Sequence, residues 1–189
     1  EFACLFGGLV YTTAVRAVRL LYAAPFFVAL GAHRFVPGDR LTRQKVVGLV
    51  AAFAGLVVAF GARIGAAEPI ALLGDALCLA AAFFWGATTI VIKASVLRRT
   101  PPEITLLYQL GISAVVLVAL SYAFGEPGVF APSPIVWASL AFQTVVIACA
   151  SYLAWFWLVA HYRATTLHAF TFLPPLFGVL AGAVLLGEP

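Results

Sequence analysis

The sequence predicts an all-α polytopic membrane helix bundle, and three observations carry that prediction. First, 64% of the 189 residues are hydrophobic and only 10% are charged, with a mean hydropathy of +1.09. A soluble domain has roughly 45–50% apolar and about 25% charged residues, because even a large core needs a charged skin. Second, the apolar residues form runs long enough to cross a hydrocarbon core of about 30 Å, which takes about 17–25 residues. Such runs are too long and too weakly alternating for barrel strands. Third, two proline-led segments echo each other. Pro25 opens PFFVALGAHRFVPGD and Pro174 opens PPLFGVLAGAVLLGE, and thirteen residues on each reaches a Gly and an acid, Gly38-Asp39 and Gly187-Glu188. Related membrane-length segments are the mark of a transporter built from two halves.

About seven spans are predicted, near residues 2–13, 18–36, 46–62, 70–94, 104–124, 135–160 and 167–187. Breakers fill the connections: Pro37-Gly38-Asp39, Glu68-Pro69, Thr100-Pro101-Pro102, Gly125-Glu126-Pro127-Gly128 and Pro132-Ser133-Pro134. The first span is truncated. The chain has no methionine and starts inside an apolar run, so it is expected to be a piece of a longer protein, and no signal peptide is visible.

Loop charge orients the spans. Arg34, Arg40, Arg43, Lys45, Lys93, Arg98, Arg99 and Arg163, eight of the eleven basic residues, flank loops on one side, which the positive-inside rule makes cytoplasmic. Glu68, Glu126 and Arg63 fall on the other side, and Arg16 and Arg19 there oppose the rule. The net charge of +4 therefore reads as an orientation signal rather than a nucleic-acid surface. The second and seventh spans then cross in opposite directions, with Gly38-Asp39 cytoplasmic and Gly187-Glu188 outside. Such an inverted repeat places a binding site between halves near the midplane.

Asp75 lies within a span, where ionisable groups are costly and often functional. It shares a helix face with Cys78, Ala82, Gly86, Thr89 and Lys93, while Leu73, Leu77, Phe84 and Val91 point the other way. Two readings stay open. Asp75 handles a proton or substrate, or it meets the positive end of its helix while Lys93 snorkels to the interface. On the sixth span Thr144, Ala148, Ser151 and Trp155 share a face beside Tyr152. That face packs a neighbouring helix or turns an aromatic ring to a cavity suited to an amphipathic or cationic substrate.

In the seventh span His168, Thr171 and Pro175 are matched by Arg19, Tyr22 and Phe26 in the second. Pro25 and Pro174 each permit a kink. The matched residues are expected to form mirror-image gates, Arg19 and Tyr22 outside, His168 and Thr171 at the cytoplasm, or else to be ordinary helix-end polar residues beside tolerated prolines. Gly178-x-x-x-Gly182 and Ala51-x-x-x-Gly55 read as close helix packing. Gln109, Ser113 and Gln143 either bond within the bundle or line a pore. Cys4, Cys78 and Cys149 have no metal-ligand spacing and read as small packing residues.

Several patterns together resemble the EamA-type permeases of the drug/metabolite transporter superfamily. Gly38-Asp39-Arg40-Leu41-Thr42, with Gln44, Gly48 and Gly55, resembles the passage from the fourth to the fifth helix of one half. Gly74-Asp75 with Trp85-Gly86 resembles the opening helix of the second half. Pro174-Pro175 through Leu185-Leu186-Gly187-Glu188 resembles that half's fourth helix. The resemblance covers essentially the whole chain, although Asp39 stands where the family commonly has Glu. It implies ten helices in two inverted five-helix repeats with cytoplasmic termini, of which this chain carries the third to the ninth. Residues 1–65 would then close the first repeat, and residues 66–189 would form the second without its last helix.

The expected function is a secondary transporter, most simply an exporter, of small metabolites, amino acids or drug-like compounds, working by alternating access. Tyr22, Trp85, Thr89, Ser151, Trp155 and Thr171 are the candidate substrate-binding or cavity-lining residues. Arg19, Pro25, His168 and Pro174 are the candidate gate, and Asp75 is the candidate for proton coupling. No phosphate-binding loop, H-E-x-x-H or G-x-S-x-G occurs in the sequence, so no enzyme, metal or cofactor is expected. The alternatives are a non-transporting scaffold or receptor and, behind it, a membrane-embedded enzyme. The expected partners are a small-molecule substrate and the lipid bilayer, not nucleic acid, with a homodimer left open. The expected location is a bacterial inner (plasma) membrane, with multiple passes.

Overall fold

A computed structural model describes residues 1–59, 69–125, 132–175 and 177. Within these residues the chain is helix and turn, with no strand. The ends of the third and seventh predicted spans lie outside the described residues, as do Arg63, Glu68, Glu126, Pro127, Gly128, Gly178, Gly182 and Leu185-Leu186-Gly187-Glu188. The helices are α1 (Phe2–Leu9), α2 (Ala14–Leu21), α3 (Ala24–Phe35), α4 (Arg43–Ala59), α5 (Pro69–Ala94), α6 (Pro102–Ala123), α7 (Pro134–Phe142), α8 (Tyr152–His161) and α9 (Ala164–Phe170). A 3-10 turn spans Val96–Arg99, and a π-helical stretch, Gln143–Ser151, joins α7 to α8.

Among the described residues, four stretches are long and apolar enough to cross a membrane: Ala14–Phe35, Ile70–Ala94, Pro102–Ala123 and Pro134–His161. Their limits follow the breakers in the sequence. Pro69, Pro102 and Pro134 each start a helix, where the missing N–H leaves no intrahelical bond unmade.

The second predicted span is not a kinked helix but two helices. Proline's ring clashes with the carbonyl four residues back, and Leu21, four before Pro25, is the last residue of α2. Tyr22 and Ala23 form a turn, and Pro25 then sits in the first turn of α3, where it lacks nothing. The same arithmetic applies at Pro174. Phe170, four residues before it, ends α9; Thr171 and Phe172 form a turn, and helix resumes at residues 173–175. The two matched prolines thus break their spans at matched positions.

The chain forms two compact units. One comprises Glu1–Ser95 with Tyr162–Pro189, the other Val96–His161. In the first, α5 packs on α1, α2 and α3, and α9 packs on α3, α4 and α5. These units follow packing rather than the sequence repeat, because α5 and α9 lie against helices from the first sixty residues. In the second unit α6 packs on α8, and Phe156 and Val159 of α8 are buried.

Glycines bring the helices of the first unit together. A Cβ on Gly74 would lie 2.8 Å from the Gly8 carbonyl oxygen and 2.9 Å from the Thr12 nitrogen, and one on Gly8 would lie 2.7 Å from Cys78 Sγ. Gly86 lies close to α3 more loosely, an added Cβ standing 3.2 Å from Phe27 Cβ and 3.3 Å from Val28 Cγ2. The Ala51/Gly55 spacing, expected to mark close packing, does not do so: Ala51 is exposed and an added Cβ at Gly55 meets nothing within 4 Å among the described residues. Of the cysteines, Cys78 is buried packing as expected, whereas Cys149 lies exposed on the π stretch.

Candidate functional site

The inward face of α5 is the one its pattern predicted. Cys78, Ala82, Thr89 and Lys93 are buried, while Leu73, Phe84 and Val91 are exposed. Thr89 meets His168 of α9: its hydroxyl lies 2.9 Å from His168 Nε2, and both side chains are fully enclosed. The Trp85 ring, one turn earlier on α5, stands 5.6 Å from the imidazole at an angle of 57°. One turn beyond His168, Phe172 lies 6.1 Å from Tyr22, ring to ring. The turns that interrupt the two matched spans therefore meet through one residue of each. Phe26 continues the aromatic line by meeting Phe53 of α4 edge-on, 5.4 Å away.

These contacts gather Tyr22, Trp85, Thr89 and His168 around the two helix breaks. Thr171 is buried beside them, and its hydroxyl donates to the His168 carbonyl at 2.7 Å, serving an acceptor that the break removes from the helical ladder. Pro25 is buried on α3, Arg19 is half-buried on α2, and Pro174 is exposed. Ser151 and Trp155 belong to the other compact unit. Ser151 is exposed and donates to the Ile147 carbonyl of its own helix at 2.8 Å, and Trp155 is half-buried on α8. Among the described residues no cluster of three or more His, Cys, Asp or Glu could hold a metal ion.

Asp75 does not rely on its helix dipole. Lying in the second turn of α5, it accepts hydrogen bonds from Thr12 Oγ1 at 2.8 Å and from Arg16 Nε at 3.2 Å, and its second oxygen pairs with Arg16 Nη2. Arg16, which opposed the positive-inside pattern, thus has its charge neutralised locally. Lys93 departs from expectation too. At 8% exposure it is enclosed by protein rather than snorkelling to the interface.

At the other end of the first unit the Pro37-Gly38-Asp39 motif has a physical reason. Gly38 adopts φ +85°, and the Asp39 N–H reaches the Val36 carbonyl at 3.3 Å, in a turn that takes Pro second and a left-handed Gly third. This turn sends the Asp39 side chain inward, where it is 2% exposed. Its Oδ2 accepts the backbone N–H of Thr165 at 2.9 Å, in the first turn of α9, and its Oδ1 accepts Lys45 Nζ at 2.7 Å. Burial works to raise the Asp39 pKa, but the bonds from Lys45 and Thr165 outweigh it and hold the carboxyl below its ordinary value. His33 completes the turn, its Nδ1 accepting the Leu41 N–H at 3.2 Å. Asp39 was not among the sequence-derived candidates. Its acid after Pro-Gly was visible, but its partner lies 126 residues away.

The profile of the EamA-like transporter family matches residues 72–189. The chain belongs to the EamA-like transporter family. It is an integral, multi-pass membrane protein of a family of membrane transporters. The chain is 27% identical over 192 residues to an uncharacterized transporter of Archaeoglobus fulgidus, covering 99% of this chain and 64% of that protein. It is 26% identical over 195 residues to a probable amino-acid metabolite efflux pump of Salmonella typhimurium, covering 100% of this chain and 65% of the pump. This EamA-like chain thus spans under two thirds of the length of these curated relatives. A solved crystal structure shares its fold with a TM-score of 0.80 and 24% identity, over 96% of this chain and 63% of that one.

Proposed function

We propose that this EamA-like chain is the third-to-ninth-helix portion of a secondary transporter that exports small metabolites, amino acids or drug-like compounds across a bacterial inner membrane. The observation that carries the reading is the meeting of two matched helix breaks, Tyr22-Ala23 and Thr171-Phe172, through the Tyr22 and Phe172 rings. Interrupted helices in corresponding positions of two halves are the usual site of substrate binding and gating in transporters of this construction. Tyr22, Trp85, Thr89 and Thr171 bind or line the path of the substrate. Arg19, Pro25, His168 and Pro174 act in gating, as the halves rock about a midplane site. The amino-acid metabolite efflux pump among the relatives supports export and the amino-acid option.

A host lacking its own exporters tests the reading. Expression of the full-length protein should lower intracellular accumulation of at least one compound in a panel of amino acids, metabolites and dyes. Tyr22→Ala and Trp85→Ala should abolish that effect at equal expression. A full-length protein that changes accumulation of none of them would favour a scaffold or receptor.

A further inference from the structure

The spacing of 149 residues that matches Pro25 with Pro174 also matches Arg16 with Thr165, and the structure treats these two positions alike. Each lies in the first turn of the helix that precedes a break, Arg16 in α2 and Thr165 in α9. Each is held by a carboxylate from the opposite sequence repeat. Asp75 of α5 takes the Arg16 guanidinium and the Thr12 hydroxyl. Asp39 takes the Thr165 N–H at 2.9 Å, with Lys45 on its other oxygen at 2.7 Å.

We propose that these are paired clamps, Asp75–Arg16 holding the extracellular end and Asp39–Thr165 the cytoplasmic end, and that each releases for the protein to open on its own side. The proposal rests on the inverted-halves reading of the transporter. A two-state element needs contacts that exist in one state and not in the other. These two contacts join one repeat to the other at the first turn of the helices that carry the breaks. They are also releasable. The Arg16 and Asp75 side chains are 30% and 18% exposed, so water can replace the partner in the outer clamp; at the inner clamp Asp39 is 3% exposed, and the way in is through Lys45, 22% exposed, on its other oxygen. Both clamps are made in the described structure, so both ends are held. The two differ in chemistry: the outer clamp is an ion pair, and the inner one is a carboxylate capping a helix. Each can therefore be weakened separately.

The test is sided cysteine labelling of the full-length protein in right-side-out and inside-out vesicles with a membrane-impermeant maleimide. For the outer clamp the reporter is native Cys78, fully buried one turn from Asp75, with every other cysteine replaced by serine. For the inner clamp it is the cysteine of Ala164→Cys, a fully buried position beside Thr165, in a cysteine-free background. Asp75→Asn should speed Cys78 labelling from the outside alone by about tenfold or more, the shift expected when one charge-assisted hydrogen bond is lost. Asp39→Asn should do the same from the cytoplasmic side alone. Arg16→Gln gives a second outer variant. Thr165→Pro gives a second inner one, removing the N–H together with the buried side-chain hydroxyl, in a first helical turn where proline is tolerated. The swapped pair Arg16→Asp with Asp75→Arg should restore slow labelling. Unchanged labelling in inserted, monodisperse variants, or faster labelling from both sides, overturns the proposal. The labelling needs no substrate, so it stands or falls separately from the transport reading.

Discussion

The Thr89 hydroxyl and His168 Nε2 lie 2.9 Å apart with both side chains sealed from solvent, tying the middle of α5 to the helix that ends at the second break. Because an enclosed polar group without its partner keeps its full desolvation cost, Thr89→Val should destabilise the protein by about 1–3 kcal/mol. Thr89→Ser, which keeps the hydroxyl, should cost less. Thermal unfolding in detergent checks both, and equal midpoints for Val and Ser would remove the bond from the account.

Gly74 and Gly48 offer a paired comparison. Gly74→Ala pushes a methyl into two backbone atoms that cannot turn aside, and overpacking of this kind costs about 1–3 kcal/mol. Gly48→Ala meets nothing within 4 Å among the described residues and should be neutral, or stabilising by up to about 1 kcal/mol, through helix propensity. A matched pair of melting curves decides the matter.

Asp39 should make stability fall in acid. The Lys45 and Thr165 hydrogen bonds hold its folded pKa below the ordinary carboxyl value despite burial. The stabilisation from its ionised form is therefore fully present above the unfolded pKa of about 3.9 and is lost as pH falls through the lower folded value. The unfolding midpoint followed from pH 7 to pH 3 should drop at the acid end, and the drop should be shallower in Asp39→Asn. Parallel curves for the two proteins would show that other groups govern the acid limb.

Pro25 sits in the first turn of α3, where no hydrogen bond depends on it. Pro25→Ala breaks no hydrogen bond, but it removes ring atoms from a fully buried site, so a cost of about 1–2 kcal/mol is expected from lost burial. It also removes the clash that ends α2 at Leu21, so helix can run on through Tyr22 and Ala23. Transport by the full-length protein should slow in both Pro25→Ala and Pro174→Ala, although melting should move little in the exposed Pro174 variant and more in the buried Pro25 one; unchanged uptake or efflux rates would leave the breaks without a gating role.

What could be read from the residues alone follows from how local each signal is. α5 was legible end to end: Pro69 opens it, one apolar run fills it, and the polar stripe from Asp75 to Lys93 marks the face that is buried. The proline pair was legible as a disturbance but not as a break, since the clash acts on Leu21 and Phe170, four residues upstream. Long-range partners were not legible. Arg16 and Asp75 are 59 residues apart and lie on different spans, so Arg16 read as an exception to loop charge and Asp75 as a lone acid. Lys93 was misread because its long stem permits either snorkelling or burial, and only packing decides. The π stretch from Gln143 to Ser151 has no compositional mark distinguishing it from the α-helix on either side.

The glycine contact between α1 and α5 has a mechanical consequence. With the Gly8 and Gly74 backbones meeting without side chains between them, a shift of either helix is felt directly by the backbone of the other. A rocking motion of the proposed kind has either to carry α1 and α5 together or to part them at this contact.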